Sequence, residues 1–383
     1  MQEDSPASPK TPRFDPQPVD HAVSANHFSP SMLTLPLMGK RDMRKVLFQS
    51  LDTVPLYDNF DDSGFEMLEE VGSGAFGSVW KAKRGKEYAI KKFNIGRQVG
   101  KDGFARELAA QFFIEKHNQD FCQVAAVCGT SAFIVKNQSQ NYAFIVYPFV
   151  IAGDLGLYIE KNNNEKENFQ TPDQISDHFM QNMQLAKSFL QNIVALHKQN
   201  IAHRDIKPEN VLLLKKKKLE TIFIDFGSAC FLDLSQKFQT QSKLFLDDVE
   251  KKIGKFNRNF FCLPIDTTLL YIDPELASYD EKDLIKDFDH GKKADIFAAS
   301  VVLFEIFLQK RAFTLLNSKN PIKMIEWQPD SKLLLKGQFS NEEIRKAYGR
   351  IAILIENMLS KNDSIDVYAA QLANIEKMFM NSK

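Results

Sequence analysis

From residue 65 onward the chain sorts into short apolar runs and then into long helical stripes. Phe65 to Val71, Ser78 to Lys83 and Glu87 to Phe93 are β-like runs parted by glycine-bearing turns, which predicts antiparallel strands. A helix is predicted from about Gly103 to Lys116, then two more strands at Ala132 to Val135 and Tyr142 to Tyr147. Beyond Gly153 the period lengthens. Between Ile175 and Gln199 the residues Phe179, Met183, Ala186, Leu190, Ile193 and Leu196 recur at mixed three and four spacing, the apolar stripe of a helix. Further helices are predicted at Asp295 to Leu308, Glu342 to Leu359 and Val367 to Met380, with no internal repeat. The expectation is an α+β chain with a small β-rich lobe followed by a larger, mainly helical one.

The first 60 residues follow another rule. Eight of the 15 prolines fall there, with Ser/Thr-Pro pairs at Ser5, Ser8, Thr11 and Ser29. Such a segment buries too little apolar surface to offset its ordering entropy, so residues 1–60 are expected to be a disordered tail. Leu33, Leu35, Leu37 and the Met43 to Leu51 stretch could dock on the domain, and the Ser/Thr-Pro sites suit regulatory modification or a regulatory partner. Lys plus Arg and Asp plus Glu number 49 each, so no global charge favours nucleic acid or a membrane surface. No apolar run reaches spanning length and no signal peptide is visible. The four cysteines (Cys122, Cys128, Cys230 and Cys262) lack CxxC spacing, which predicts reduced thiols in a cytoplasmic setting, a host cytosol included, rather than a disulfide framework.

Candidate chemistry begins at Gly72-Ser73-Gly74-Ala75-Phe76-Gly77, between two predicted strands and led by Val71. Glycines let the backbone approach phosphate oxygens with its N–H groups. A dinucleotide fingerprint would open a helix. Here Val79-Trp80-Lys81-Ala82 continues as strand, which favours a hairpin lid over nucleotide, although a plain glycine-rich turn fits the motif taken alone. Lys91, 14 residues after Gly77, can neutralise phosphate charge if its stem is held, and Glu107 is the candidate holder. Strand alternation puts Lys91 and Lys92 on opposite faces, so only one points inward.

The most informative run is His203-Arg204-Asp205-Ile206-Lys207-Pro208-Glu209-Asn210, followed 15 residues after Asn210 by Asp225-Phe226-Gly227. With the glycine loop and Lys91 it closely resembles the protein kinase superfamily, in its serine/threonine branch. That resemblance covers about residues 65 to 378, with an N-lobe at 65–147, a hinge at 148–153 and a C-lobe at 154–378. It implies a bilobal fold using ATP and Mg²⁺ to phosphorylate Ser/Thr hydroxyls of protein substrates. Position by position it implies Asp205 as catalytic base, Lys207 beside the transferring phosphoryl group, and Asn210 and Asp225 as metal ligands. The Lys91–Glu107 pair would hold phosphates. Val79, Ala89 and Leu212 would sandwich adenine, Pro148 and Val150 would meet its edge, Asp154 the ribose, and Tyr147 would be the gatekeeper.

The same resemblance implies that Thr268 bonds the catalytic Asp and Lys, and that Asp295 braces the catalytic loop. It also implies an insertion within 231–262, with Ser235, Thr240 and Ser242 as candidate phosphosites that Arg204 could clamp. Some positions depart from the family pattern. Asp273 stands in the usual Ala-Pro-Glu, Ser300 replaces a Gly, and Gln111 replaces an apolar residue. The register also puts Asp366 where an arginine should pair with Glu275. A binding module without turnover is the alternative, disfavoured because Lys91, Asp205, Asn210 and Asp225 are all present. A small-molecule kinase is disfavoured by the Thr268 segment.

Overall fold

The computed structural model describes residues 54–74, 77–117, 126–150, 153–165, 171–215, 219–231, 236–256, 271–273, 288–308, 342–360 and 363–381. Six strands form the N-terminal sheet: β1 (Leu56–Tyr57), β2 (Glu66–Gly74), β3 (Gly77–Arg84), β4 (Lys86–Asn94), β5 (Ser131–Lys136) and β6 (Asn141–Pro148). Their order is β1-β5-β6-β4-β3-β2, antiparallel throughout except for the parallel β1–β5 pair at one edge. Helix α1 (Gln98–His117) crosses between β4 and β5. Val54 is fully buried and the Ile134 N–H donates to Pro55 O at 2.9 Å, so the ordered domain includes residues ahead of 60. Residues 1–53 lie outside the described residues.

The two faces of the sheet carry different cores. Phe65, Tyr88, Ile90, Phe133, Phe144 and Val146 pack on the outer face. The inner face, with α1, joins the main core shared with the helical lobe. In chain order follow α2 (Leu155–Glu165), α3 (Pro172–Lys198), α4 (Gln236–Ile253), α5 (Phe288–Leu308), α6 (Glu342–Ser360) and α7 (Ile365–Asn381), all but α4 building that lobe. α3 starts at a capping box: Thr171 Oγ1 accepts from the Gln174 N–H at 3.3 Å and the Gln174 side chain accepts from the Thr171 N–H at 3.1 Å. Its predicted stripe is the buried one, from Phe179 to Leu196. Two short antiparallel pairs close the cleft floor, with β8 (Val211–Lys215) on β9 (Leu219–Phe223) and β7 (Ile201–Ala202) on β10 (Cys230–Phe231).

Two sequence readings change. Within the expected insertion at 231–262 lies α4, an 18-residue helix fastened to the N-terminal lobe. Phe245 stacks on Phe112 of α1 with centroids 4.5 Å apart, Lys252 Nζ donates to Val54 O at 2.9 Å, and Lys136 Nζ donates to Lys252 O at 3.3 Å. The expectation of reduced thiols is corrected at Cys128 and Cys230, which are both disulfide-bonded. Linear spacing carries no information on which sulfurs approach in space.

Candidate active site

Strand β4 delivers Lys91 to the cleft because its buried neighbours Ile90 and Phe93 fix the alternation of faces. Lys92 turns the other way, its Nζ 4.0 Å from the Tyr142 ring centroid. Lys91 Nζ lies 2.6 Å from Glu107 Oε2 on α1 and 2.9 Å from Asp225 Oδ1. Burial alone would lower the Lys91 ammonium, but Asp225 and Glu107 together raise it above the ordinary lysine value. Burial raises Glu107 and Lys91 only partly offsets it, whereas at Asp225 burial also pushes upward but Lys91, the Gly227 N–H and His203 together carry the carboxyl below its usual range. Lysine and aspartate are therefore both charged at neutral pH.

Asp225 adopts a left-handed backbone (φ 61°) that turns its side chain back to accept from the Gly227 N–H at 3.3 Å. A Cβ on Gly227 would sit 3.2 Å from Asp225 Oδ1 and 3.6 Å from Glu107 Oε2, so a side chain there would press the Asp225 carboxylate by a few tenths of an ångström. Phe226 is fully buried and packs on the His203 ring, centroids 4.9 Å apart. The Asp225 side chain keeps 39% of its exposure, which opens it to the cleft.

The catalytic-loop run is suspended from below. Asp295 of α5, fully buried, accepts the His203 N–H at 2.8 Å, the Arg204 N–H at 2.7 Å and pairs with His197 Nε2 at 2.9 Å. Arg204 can then take its left-handed φ of 65°. Burial lowers its guanidinium to about 10, with Asp295 opposing and Arg106 adding to the shift. Asp205 Oδ2 accepts from Lys207 Nζ at 2.8 Å and from Asn210 Nδ2 at 2.8 Å, and Asn210 Nδ2 also donates to Asp205 O at 2.8 Å. With the amide nitrogen so used, the amide oxygen Oδ1 of Asn210 is the donor atom left for a cation.

Above the cleft, β3 and β4 pair Val79 with Lys91 and Lys81 with Ala89, so Val79, Ala89 and Lys91 share one face. Val71 to Gly74 end β2, and a Cβ on Gly77 would sit 2.0 Å from Lys92 O, a close approach that excludes any other residue. At the rear edge, Tyr147 and Pro148 close β6, and Asp154 bridges Leu212 of β8 while accepting the Leu157 N–H at 2.9 Å. Burial raises the Asp154 carboxyl, and the charge of Glu209 adds to this. Ala75, Phe76 and Thr268 lie outside the described residues, as does Glu275. Asp366, set opposite Glu275 by the sequence register, pairs instead with Lys198 at 3.0 Å.

Sequence reasoning missed the second bond of Glu107. Tyr147 Oη donates to Glu107 Oε1 at 2.5 Å. It also missed the role of α4 behind α1. The resemblance makes Tyr147 only a gate, and a tyrosine hydroxyl directly after the buried apolar run Ala143 to Val146 is the available signal.

The arrangement gathers three carboxylates, an amide oxygen and two cationic amines beneath a glycine-rich hairpin. A family model described as the protein kinase domain matches residues 65–374. Among curated relatives, the interferon-induced, double-stranded RNA-activated protein kinase of Mus musculus is 26% identical over 73% of this chain and 45% of its own length. Calcium-dependent protein kinase 4 of Plasmodium berghei is 24% identical over 80% and 47%, and the serine/threonine-protein kinase cds1 of Schizosaccharomyces pombe is 24% identical over 86% and 61%. The chain thus spans about half the length of the curated relatives it matches. With the family model covering most of the chain, and the bilobal fold and site in agreement with it, this protein belongs to the protein kinase family.

Proposed function

We propose that this protein is an active serine/threonine protein kinase that transfers the terminal phosphoryl group of Mg²⁺-bound ATP to protein hydroxyls. The observation that carries the reading is the ion-paired Lys91, held at once by Glu107 and Asp225. Burying charges is costly, which supports a site kept for phosphate binding, and Asp205 with its bond from Lys207 supports turnover there. The donor set suits Mg²⁺: a hard cation takes oxygen ligands, few of them from protein. Asp225 and the Asn210 amide oxygen would hold it, and no group of three or more His, Cys, Asp or Glu side chains among the described residues offers a different metal site. Bound there, Mg²⁺ would neutralise phosphate charge.

The remaining chemistry belongs to side chains. Lys91 binds phosphate oxygens as a fixed cation. Val79, Ala89 and Leu212 flank the adenine, and the backbone at Pro148 and Val150 meets its edge. Asp205 accepts the proton of the attacking hydroxyl, while Lys207, bonded to the same carboxylate, lies beside the phosphoryl group in transfer. Lys207 two residues after the base supports Ser/Thr over Tyr acceptors, as does the relation to cds1, named a serine/threonine-protein kinase. Thr268 is proposed to join Asp205 and Lys207 on the peptide side. Purified protein with Mg²⁺-ATP and a basic acceptor protein should incorporate phosphate, and Asp205→Asn should remove at least about 10³ of that rate, with loss of the base and of its hold on Lys207. Equal rates in the two proteins would overturn the reading.

A further inference from the structure

The carboxylate of Glu107 is divided. Its Oε2 faces Lys91 at 2.6 Å, and its Oε1 accepts the Tyr147 hydroxyl at 2.5 Å. Tyr147 stands on β6 opposite Ala89, two residues from Lys91 along β4, so the gatekeeper position and the phosphate lysine lie on adjacent strands. Gln111, one turn beyond Glu107 on α1, is 1% exposed and accepts the Gly129 N–H through Oε1 at 2.8 Å. Its Nε2, buried and outside strict hydrogen-bond geometry, is close enough to the Tyr147 hydroxyl to lower that phenol's pKa. A Cβ on Gly129 would come within 3.1 Å of Ile145 Cγ2, 3.5 Å of Gln111 Cγ and 3.6 Å of Tyr147 Cε1. The glycine thus lies in contact range of both the Gln111 stem and the Tyr147 ring, with Ile145 as its tightest neighbour.

These contacts form one polar thread through an apolar wall: Lys91, Glu107 and Tyr147, with Gln111 and Gly129 behind. Buried polar groups are costly unless bonded, and a phenylalanine would fill the ring's space without that cost. A plug at the adenine pocket needs the ring alone. The hydroxyl is spent on Glu107. Burial and the Glu107 charge both push the Tyr147 phenol well above its ordinary value, so it stays protonated and donating, while the Gln111 amide acts in the opposite sense.

We propose that Tyr147 is a positioning residue for the phosphate lysine: its hydroxyl, backed by Gln111 and Gly129, fixes the Glu107 carboxylate and through it Lys91 Nζ. The inference rests on the reading that Lys91 meets nucleotide phosphates. It gives the departure at Gln111 a purpose, since an apolar residue there could not tether the thread to the Gly129 backbone.

The test separates phosphate binding from purine binding. Dissociation constants for Mg²⁺-ATP and for adenosine are measured by calorimetry on the full chain as wild type, Tyr147→Phe, Glu107→Gln and the double variant. The proposal expects Tyr147→Phe to leave adenosine within about twofold and to weaken ATP about five- to tenfold, the net contribution of one ordinary hydrogen bond passed on through Glu107. In the Glu107→Gln background the same change should add less than about twofold, because the path to Lys91 is already cut. Equal weakening of adenosine and ATP would reduce Tyr147 to a plug, and full additivity would remove Glu107 from its path. Either result overturns the proposal while leaving the kinase reading intact. A wild type that binds neither ligand sinks both. Should Tyr147→Phe fail to fold, Gln111→Met, similar in length and lacking the amide, must shift the ATP-to-adenosine ratio in the same direction.

Discussion

Replacing Phe245 with alanine probes how the segment after Asp225 controls the ion pair. Phe245 is 8% exposed and lies flat on Phe112, the planes only 7° apart. Removing a phenylalanine from a packed site costs about 3–5 kcal/mol, which includes a contribution of about 0.5–1.5 kcal/mol from the ring pair. Most helical stability in a protein comes from packing of the apolar face, so α4 relies on its buried face of Phe245, Leu246, Val249 and Ile253. A loss of 3 kcal/mol or more lowers the docked-to-undocked ratio by at least about 100-fold. Phe112 follows Glu107 by five residues, which places it about 140° around α1 from the ion pair. Undocking α4 therefore strips the outer support of the helix whose inner face holds Lys91. Hydrogen exchange read by mass spectrometry should show protection of residues 236–253 falling by about 100-fold while α3 is unchanged, and turnover should fall with it. Unaltered protection would refute the claim that the stack fastens α4. Lost protection with wild-type turnover would refute the claim that α4 supports Glu107.

Two further outcomes follow from buried charge. Lys91→Met leaves Glu107 and Asp225 without their shared cation, so both carboxyls shift upward, Glu107 beyond its already raised position. A folded pKa above the unfolded one means that the folded state takes up protons as pH falls. The variant's deficit in urea midpoint against wild type should therefore be larger at pH 8 than at pH 5.5, and a deficit that grows on acidification would contradict the assignment. Asp295→Ala orphans the buried N–H groups of His203 and Arg204 and should destabilise by about 2–6 kcal/mol in urea unfolding, at about 1–3 kcal/mol for each donor. A loss under 1 kcal/mol would mean that the loop finds other acceptors.

Elements whose burial follows a single period were legible in the sequence. The stripe from Ile175 to Gln199 corresponds to α3 at Pro172–Lys198, and the strand runs at 78–83 and 87–93 correspond to β3 and β4. α1 begins at Gln98, ahead of the predicted Gly103, because Gly100 and Gly103 mask a helical signal. At Gly100 a Cβ would sit 2.0 Å from Asn94 O, so the residue answers to the close approach of α1 and β4 and not to helix propensity. The two residues of β1 are too few to carry a period and are fixed by pairing with β5. α4 was visible only as extra length, since its apolar face gains meaning from Phe112, far away in sequence.

The same distinction runs through the site. Lys91, Asp205, Asn210 and Asp225 sit in local motifs whose chemistry restricts residue type and spacing, and the fold brings them to one cleft. The bond from Tyr147 to Glu107 joins residues 40 apart in sequence, and Gln111 looked like a defect until Gly129 came beside it. Contacts of that kind depend on how α1 lies on the sheet, which no local pattern specifies.

The central claim is that the cleft transfers phosphate to Ser/Thr with Asp205 as base. Its most direct test is phosphosite mapping by mass spectrometry on the full chain and an acceptor protein after incubation with Mg²⁺-ATP, beside Asp205→Asn. The account predicts phosphoserine and phosphothreonine with the wild type and none with the variant. Wild-type protein that binds ATP yet leaves every hydroxyl unmodified, or that modifies tyrosine alone, would contradict it.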